Sequence, residues 1–124
     1  MNVPGNLKYT REHEWVKDLG DGTYLVGISD YAQEQIGDVS YVELPEVGDS
    51  FSAGDVICTV ESFKAASEIY APFDLTITEV NQTLEDAPEA VNADAYKAFL
   101  VKATATGEGA LLTAEEYTKM VEGE

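Results

Sequence analysis

A mainly β single domain with short helices is the fold class this sequence predicts, and three features predict it. Short runs of strand-forming residues recur along the chain, turns containing Gly or Pro separate them, and only two segments carry the punctuation of a helix. A sandwich or flattened barrel meets that pattern most simply. With 124 residues the chain can bury a real core but does not suit two independent domains, so residues 1–124 are read as one.

In chain order, a Pro-Gly start precedes KYTREHEW, within Leu7 to Trp15, and the Gly20-Asp21-Gly22 turn leads into TYLVGIS. Tyr24, Val26 and Ile28 alternate with Leu25 and Gly27, which fits a strand covered at least partly on both faces, and the two segments can pair as a hairpin. Asp30 to Gly37 reads as a short helix, with Asp30 as N-cap, Gln33 as its capping-box partner and Gly37 as the stop. Val39, Tyr41, Val42 and Leu44 signal the next strand, and Pro45, Gly48 and Gly54 mark turns.

From Phe73, FDLTITEVN alternates Phe73, Leu75 and Ile77 with Asp74, Thr76 and Thr78, as a half-buried strand should. A loop is expected from Gln82 to Asp94, then a strand-like run from Tyr96 to Thr104. Thr113 and Glu116 form a capping box for a last helix with Tyr117, Met120 and Val121 on one face.

Between these segments lies DVICTVESFKAASEIYAP, Asp55 to Pro72, which reads as two strands meeting at a tip, with Phe63, Lys64, Ala65 and Ala66 as the turn. That turn has no Gly, Asn or Asp at its centre, so a looser type I connection is expected rather than a primed one. Lys64 then points into water. A single exposed lysine ordinarily carries no function. Here small Ala65 and Ala66 leave the amine approachable, while carboxylates at Glu61 and Glu68 favour its charged form. A charged ammonium is a poor nucleophile, so chemistry at this lysine is expected to be done to it, by another enzyme with an activated acyl donor.

Composition excludes several classes. The formal charge of −17 disfavours phosphate backbones and anionic membranes, and it suits a partner with a basic surface, so neither nucleic acid nor membrane is expected. Cys58 is the only cysteine, which rules out an internal disulfide and a cysteine metal cluster, and its apolar strand predicts a buried, inert thiol. His13 is the only histidine, so no metal site is expected. The first residues have neither an apolar signal core nor a transit peptide's character; a cytoplasmic bacterial protein or a processed organellar one is the expectation.

VESFKAASEIYAP resembles the lipoyl-attachment hairpin of the glycine cleavage system H protein, and KYTREHEWV and GISDYAQEQIGDVSYVELPEVGD resemble the same family. The likeness covers roughly residues 7 to 122 and weakens after Pro72. It implies the barrel-sandwich hybrid of lipoyl and biotinyl carriers with a C-terminal helix. It also implies lipoic acid in amide linkage on Lys64, carrying an aminomethyl group and reducing equivalents. The partners it implies are a pyridoxal-phosphate glycine decarboxylase, a tetrahydrofolate aminomethyltransferase, a flavin dihydrolipoamide dehydrogenase and a lipoyl ligase. In that family the HEW motif, here His13, Glu14 and Trp15, lies next to the cleft for the loaded arm. Glu14 and Glu68 match positions facing the arm's aminomethyl end, where an anionic site attracts a protonated amine.

Without the resemblance, Glu14 and Glu68 are most simply solvated acids, and Tyr9, Trp15, Tyr31 and Tyr41 are core or core-edge residues. No phosphate loop or nucleophile elbow is present, so the residues give little support to a stand-alone enzyme, and the non-catalytic carrier role is what the resemblance implies. The rival reading is an H-protein-like scaffold, natural or redesigned, that works through protein contacts without the arm. It draws on the departures from the family pattern: Phe63 for the usual Val, and Phe73-Asp74-Leu75 for a segment ending in Gly. Leu75 cannot adopt a glycine's left-handed backbone cheaply, so ordinary strand is expected there. Phe63, Phe73 and Leu75 are then expected to form an apolar patch for self-association or a partner.

Overall fold

The computed structural model describes residues 2–123. Two antiparallel sheets face each other. The larger has six strands in the order β1-β2-β3-β9-β8-β5, and the smaller has three in the order β4-β6-β7. In chain order the strands are β1 (Lys8–Tyr9), β2 (Glu14–Gly20), β3 (Thr23–Ile28), β4 (Val39–Glu43), β5 (Ser50–Phe51), β6 (Val56–Ser62), β7 (Ala66–Tyr70), β8 (Leu75–Val80) and β9 (Val101–Ala105). The helices are α1 (Asp30–Ile36), α2 (Thr83–Asp86), α3 (Ala90–Ala93) and α4 (Ala114–Glu122).

Between the sheets Val26, Ile28, Val42, Val60, Leu75, Ile77, Leu100 and Val101 are nearly or wholly shielded from water. A second cluster holds Leu7, Tyr9, Trp15, Tyr117 and Val121, and fastens α4 to the outside of β1 and β2. Both are legible as alternation along strands and as a single apolar face on α4. No helix among the described residues is long and apolar enough to cross a membrane.

Several elements form for the reasons the sequence suggests. β2 and β3 join through Asp21 at φ 56° and Gly22 at φ 78°, the paired left-handed residues of a primed hairpin turn. Thr113 accepts a hydrogen bond from the Glu116 N–H while the Glu116 carboxylate accepts from the Thr113 N–H, closing the capping box of α4. Gly27 pairs with Trp15 across the sheet, and a Cβ on it would sit 2.5 Å from the indole, so only glycine lets that ring lie flat on β3. The indole N–H then donates to the carbonyl of Ala95 at 3.0 Å.

Other expectations are corrected. The N-cap of α1 is Ser29, whose hydroxyl accepts from the Ala32 N–H; Asp30 is the first helical residue and accepts instead from the Gln33 side chain. The span from Gln82 to Asp94 is not plain loop but carries α2 and α3, whose Leu84 and Val91 plug the core. The run from Tyr96 becomes strand only at Val101, because Asp94 and Tyr96 are occupied locally: the Asp94 carboxylate accepts from the Tyr96 N–H, and the Tyr96 hydroxyl reaches the Asp30 N–H and the Asn2 carbonyl.

The apolar patch of Phe63, Phe73 and Leu75 does not exist. Phe73 is 3% exposed and packs on Tyr24 with ring centroids 5.0 Å apart, and Leu75 is fully buried. Only Phe63 stands in water, so self-association through the three together has no surface to use. Leu75 is ordinary strand, as expected, with no left-handed backbone.

Candidate functional site

The β6–β7 hairpin projects Lys64 at its tip. Strand character on both sides drives the pairing, from Val56 opposite Tyr70 up to Glu61 opposite Ala66. At the end Ser62 takes over the role that Gly or Asn plays in tighter turns. Its N–H donates to the Ala65 carbonyl at 2.8 Å, and its hydroxyl oxygen accepts from the N–H groups of Lys64 and Ala65 at 3.1 and 3.2 Å. No tip residue has positive φ, in line with a turn that is not of the primed kind. Both Phe63 and Lys64 are exposed. The Lys64 stem passes over Gly37 at the end of α1, where a Cβ would come within 2.9 Å of Lys64 Cε.

Beside the hairpin, β7 and α1 enclose a hollow of about 380 Å³ walled by His13, Tyr31, Gln35, Glu68 and Tyr70 among others. His13 reaches it because its own backbone is left-handed, at φ 69°. Its ring is fixed by Tyr117, whose hydroxyl lies 2.8 Å from Nδ1 and 2.7 Å from the Ser29 hydroxyl, and it packs on Tyr31 with centroids 4.8 Å apart. Glu68 stands exposed on β7, and its charge is the main cause that raises the phenol of Tyr70 above its ordinary pKa.

Glu14 is placed differently from Glu68. It is 1% exposed and lines a neighbouring hollow of about 530 Å³ together with Thr10, Arg11, Pro72 and Gly109. Glu12 and Tyr70 border both hollows. Thr10 donates its hydroxyl to Glu14 Oε1 at 2.6 Å, and the Tyr70 N–H donates to Oε2 at 3.3 Å. These bonds favour the carboxylate, yet burial outweighs them and pushes its pKa from 4.5 to about 7. Glu14 is therefore not a solvated surface acid but a buried group balanced near neutrality.

The structure brings His13 and Glu68 to one hollow and sets Glu14 behind Tyr70 in the adjoining one. The sequence reading gave no site role to Thr10, Ser29, Ser62 and Tyr117; of these Ser62, a turn-forming residue just before the tip, and Ser29, a serine directly ahead of α1, carry a local signal. Cys58 is 3% exposed and burial pushes its thiol up to about 12, so it is the inert core residue expected. Of the aromatics, Tyr9 and Trp15 are buried, Tyr31 is half-buried, and Tyr41 departs from expectation at 48% exposed on the outer face of β4.

The family described as Glycine cleavage H-protein matches residues 7–124. A "Probable glycine cleavage system H protein" of Thermoplasma volcanium is 51% identical over 121 residues, covering 98% of each chain. The glycine cleavage system H protein of Burkholderia cenocepacia is 48% identical over 124 residues, again covering 98% of each. The crystal structure of the glycine cleavage system H protein from Mycobacterium marinum superposes with a TM-score of 0.92 at 39% identity, covering 97% of this chain and 99% of that one. The fold is that protein's barrel-sandwich hybrid, and the likeness runs through the segments after Pro72 as well as those before it. Fold, hairpin and full-length similarity agree: the chain belongs to the glycine cleavage H-protein family.

Proposed function

We propose that this chain is a non-catalytic carrier whose Lys64 takes a lipoyl group in amide linkage, to be presented in turn to the enzymes of glycine cleavage. The observation that carries the reading is the tip itself, a water-exposed lysine held at the end of a hairpin by hydrogen bonds that leave its side chain out of the turn. A lysine amine in its neutral form can attack an activated acyl donor there, forming the amide C–N bond as the donor's leaving group departs and the amine gives up a proton. The product is one unit more negative than the −17 of the bare chain.

When bound, lipoic acid supplies a dithiolane on a long arm, able to carry an aminomethyl group and reducing equivalents. The chain's own residues then have two tasks. The rigid sandwich presents the tip, so that tethering raises the local concentration of whatever is carried at a docked partner. His13, Glu12 and Glu68, with Glu14 behind Tyr70, offer an acidic recess beside the hairpin in which a protonated amine is favoured. An ammonium in that recess would also draw Glu14 to its charged form, since an adjacent positive charge opposes the burial that raises its pKa. The decarboxylase, aminomethyltransferase and dihydrolipoamide dehydrogenase are the partners this role requires, with a lipoyl ligase to load the arm.

Incubation with a lipoyl ligase and an activated donor, followed by intact mass and peptide mapping, tests the proposal. A single adduct on Lys64, absent from Lys64→Arg, is expected. An adduct on Lys8 or Lys102, or none, overturns it.

A further inference from the structure

We infer that Phe63 and the outward face of the smaller sheet form the docking surface for the enzyme that acylates Lys64, and that this enzyme offers an apolar slot beside its lysine channel with Lys or Arg side chains around it. The inference rests on the carrier reading above.

Phe63 is 85% exposed, whereas Leu19, Tyr41, Val47 and Val56 lie between 39% and 62%. It is also the residue immediately before Lys64, on a turn that Ser62 pins. An enzyme that brings a reacting carbonyl to Lys64 Nζ has to cover the tip, and in doing so it covers Phe63. An aromatic side chain so exposed gains more from burial in a partner than any other residue on the hairpin, as centrally placed aromatic anchors do at interfaces.

Charge points the same way. Cross-strand pairing sorts the smaller sheet into two faces. Val42, Val60, Cys58 and Ile69 go inward, while Tyr41, Glu61 and Ala66 form one outward row and Glu43, Thr59 and Glu68 the next. That outward face carries three carboxylates, and none of the chain's seven basic residues lies on β4, β6 or β7. Lys8, Lys17 and Lys102 all fall on the larger sheet. A partner whose approach to Lys64 is lined with basic side chains therefore meets this face and not the opposite one.

The test is steady-state acylation by a lipoyl ligase with the full-length wild type, Phe63→Ser, Phe63→Leu and Glu43→Gln/Glu61→Gln proteins, each checked for an unchanged thermal midpoint. Phe63→Ser should raise KM about tenfold with kcat within about twofold, and Phe63→Leu should recover most of that loss. The double Gln variant should raise KM at low salt and flatten its salt dependence. Wild-type kinetics for Phe63→Ser, with Lys64 still acylated, overturn this inference and leave the carrier reading standing. Failure of the wild type to be acylated overturns both. Equal salt dependence in wild type and the double variant removes the basic partner surface.

Discussion

Thr10 donates a hydrogen bond from its hydroxyl to Glu14 Oε1 across 2.6 Å in a wall where Glu14 is 1% exposed, and that short bond does not suffice to keep the carboxyl acidic. A neutral donor offsets part of the desolvation but cannot replace all the hydration that burial removes. The result is a carboxyl balanced near neutrality, whose charged form a cation in the adjoining hollow would favour.

Stability should consequently fall as pH rises through neutrality. In the folded chain Glu14 titrates at about 7, above its ordinary 4.5, so the native state holds the proton more tightly than the unfolded state does. The stability it contributes is fully present below about pH 4.5 and lost as pH rises through about 7, a change on the order of 3 kcal/mol. Thermal midpoints at pH 5 and pH 8 for wild type and Glu14→Gln check this. The amide can still accept from the Tyr70 N–H while donating to Thr10, so Glu14→Gln should gain on the wild type at pH 8 relative to pH 5. A pH-independent difference between the two proteins would remove the titration from Glu14.

The same substitution should weaken retention of a cationic cargo. Glu14 supplies negative charge only when ionised, and an amine brought beside it favours that form. In lipoylated protein loaded with an amine-bearing group, Glu14→Gln should shorten the loaded lifetime several-fold, with the fold intact by circular dichroism. An unchanged lifetime with loading demonstrated by mass would assign retention to Glu12 and Glu68.

Most of what positions the site was legible because it is local. Alternation in β8, the Asp21-Gly22 turn, the capping box at Thr113 and the lysine tip each depend on neighbours a few residues apart. The environment of Glu14 was not, since its bonding partners include the backbone of Tyr70, 56 positions away, and no spacing encodes that contact. Likewise Tyr117 positions His13 from α4 across 104 residues. The apolar patch failed for a reason already in the sequence. Phe73 and Leu75 share the parity of Ile77 along the strand, so the rule that identifies β8 also sends both of them inward.

The turn that carries the lysine depends on Ser62. Ser62 accepts from the N–H groups of Lys64 and Ala65 and donates its own hydroxyl to the Ala65 carbonyl at 3.2 Å, so one side chain holds three backbone groups at the tip. All of them are exposed, and water can replace each bond. Ser62→Ala should therefore cost little in global stability, about 0.5–1 kcal/mol. The tip itself should lose its single conformation, because the remaining Ser62 N–H to Ala65 carbonyl bond closes the turn without fixing the residues inside it. Acylation needs Nζ delivered in one orientation, and a mobile tip reaches that orientation less often. Ser62→Ala should lower kcat/KM for lipoylation about threefold to tenfold with an almost unchanged thermal midpoint, and amide exchange at Lys64 and Ala65 should quicken. Ser62→Thr, which keeps the hydroxyl, should restore both readouts. If exchange at the tip is unaffected by Ser62→Ala, the turn is held by strand pairing alone and the hydroxyl is dispensable.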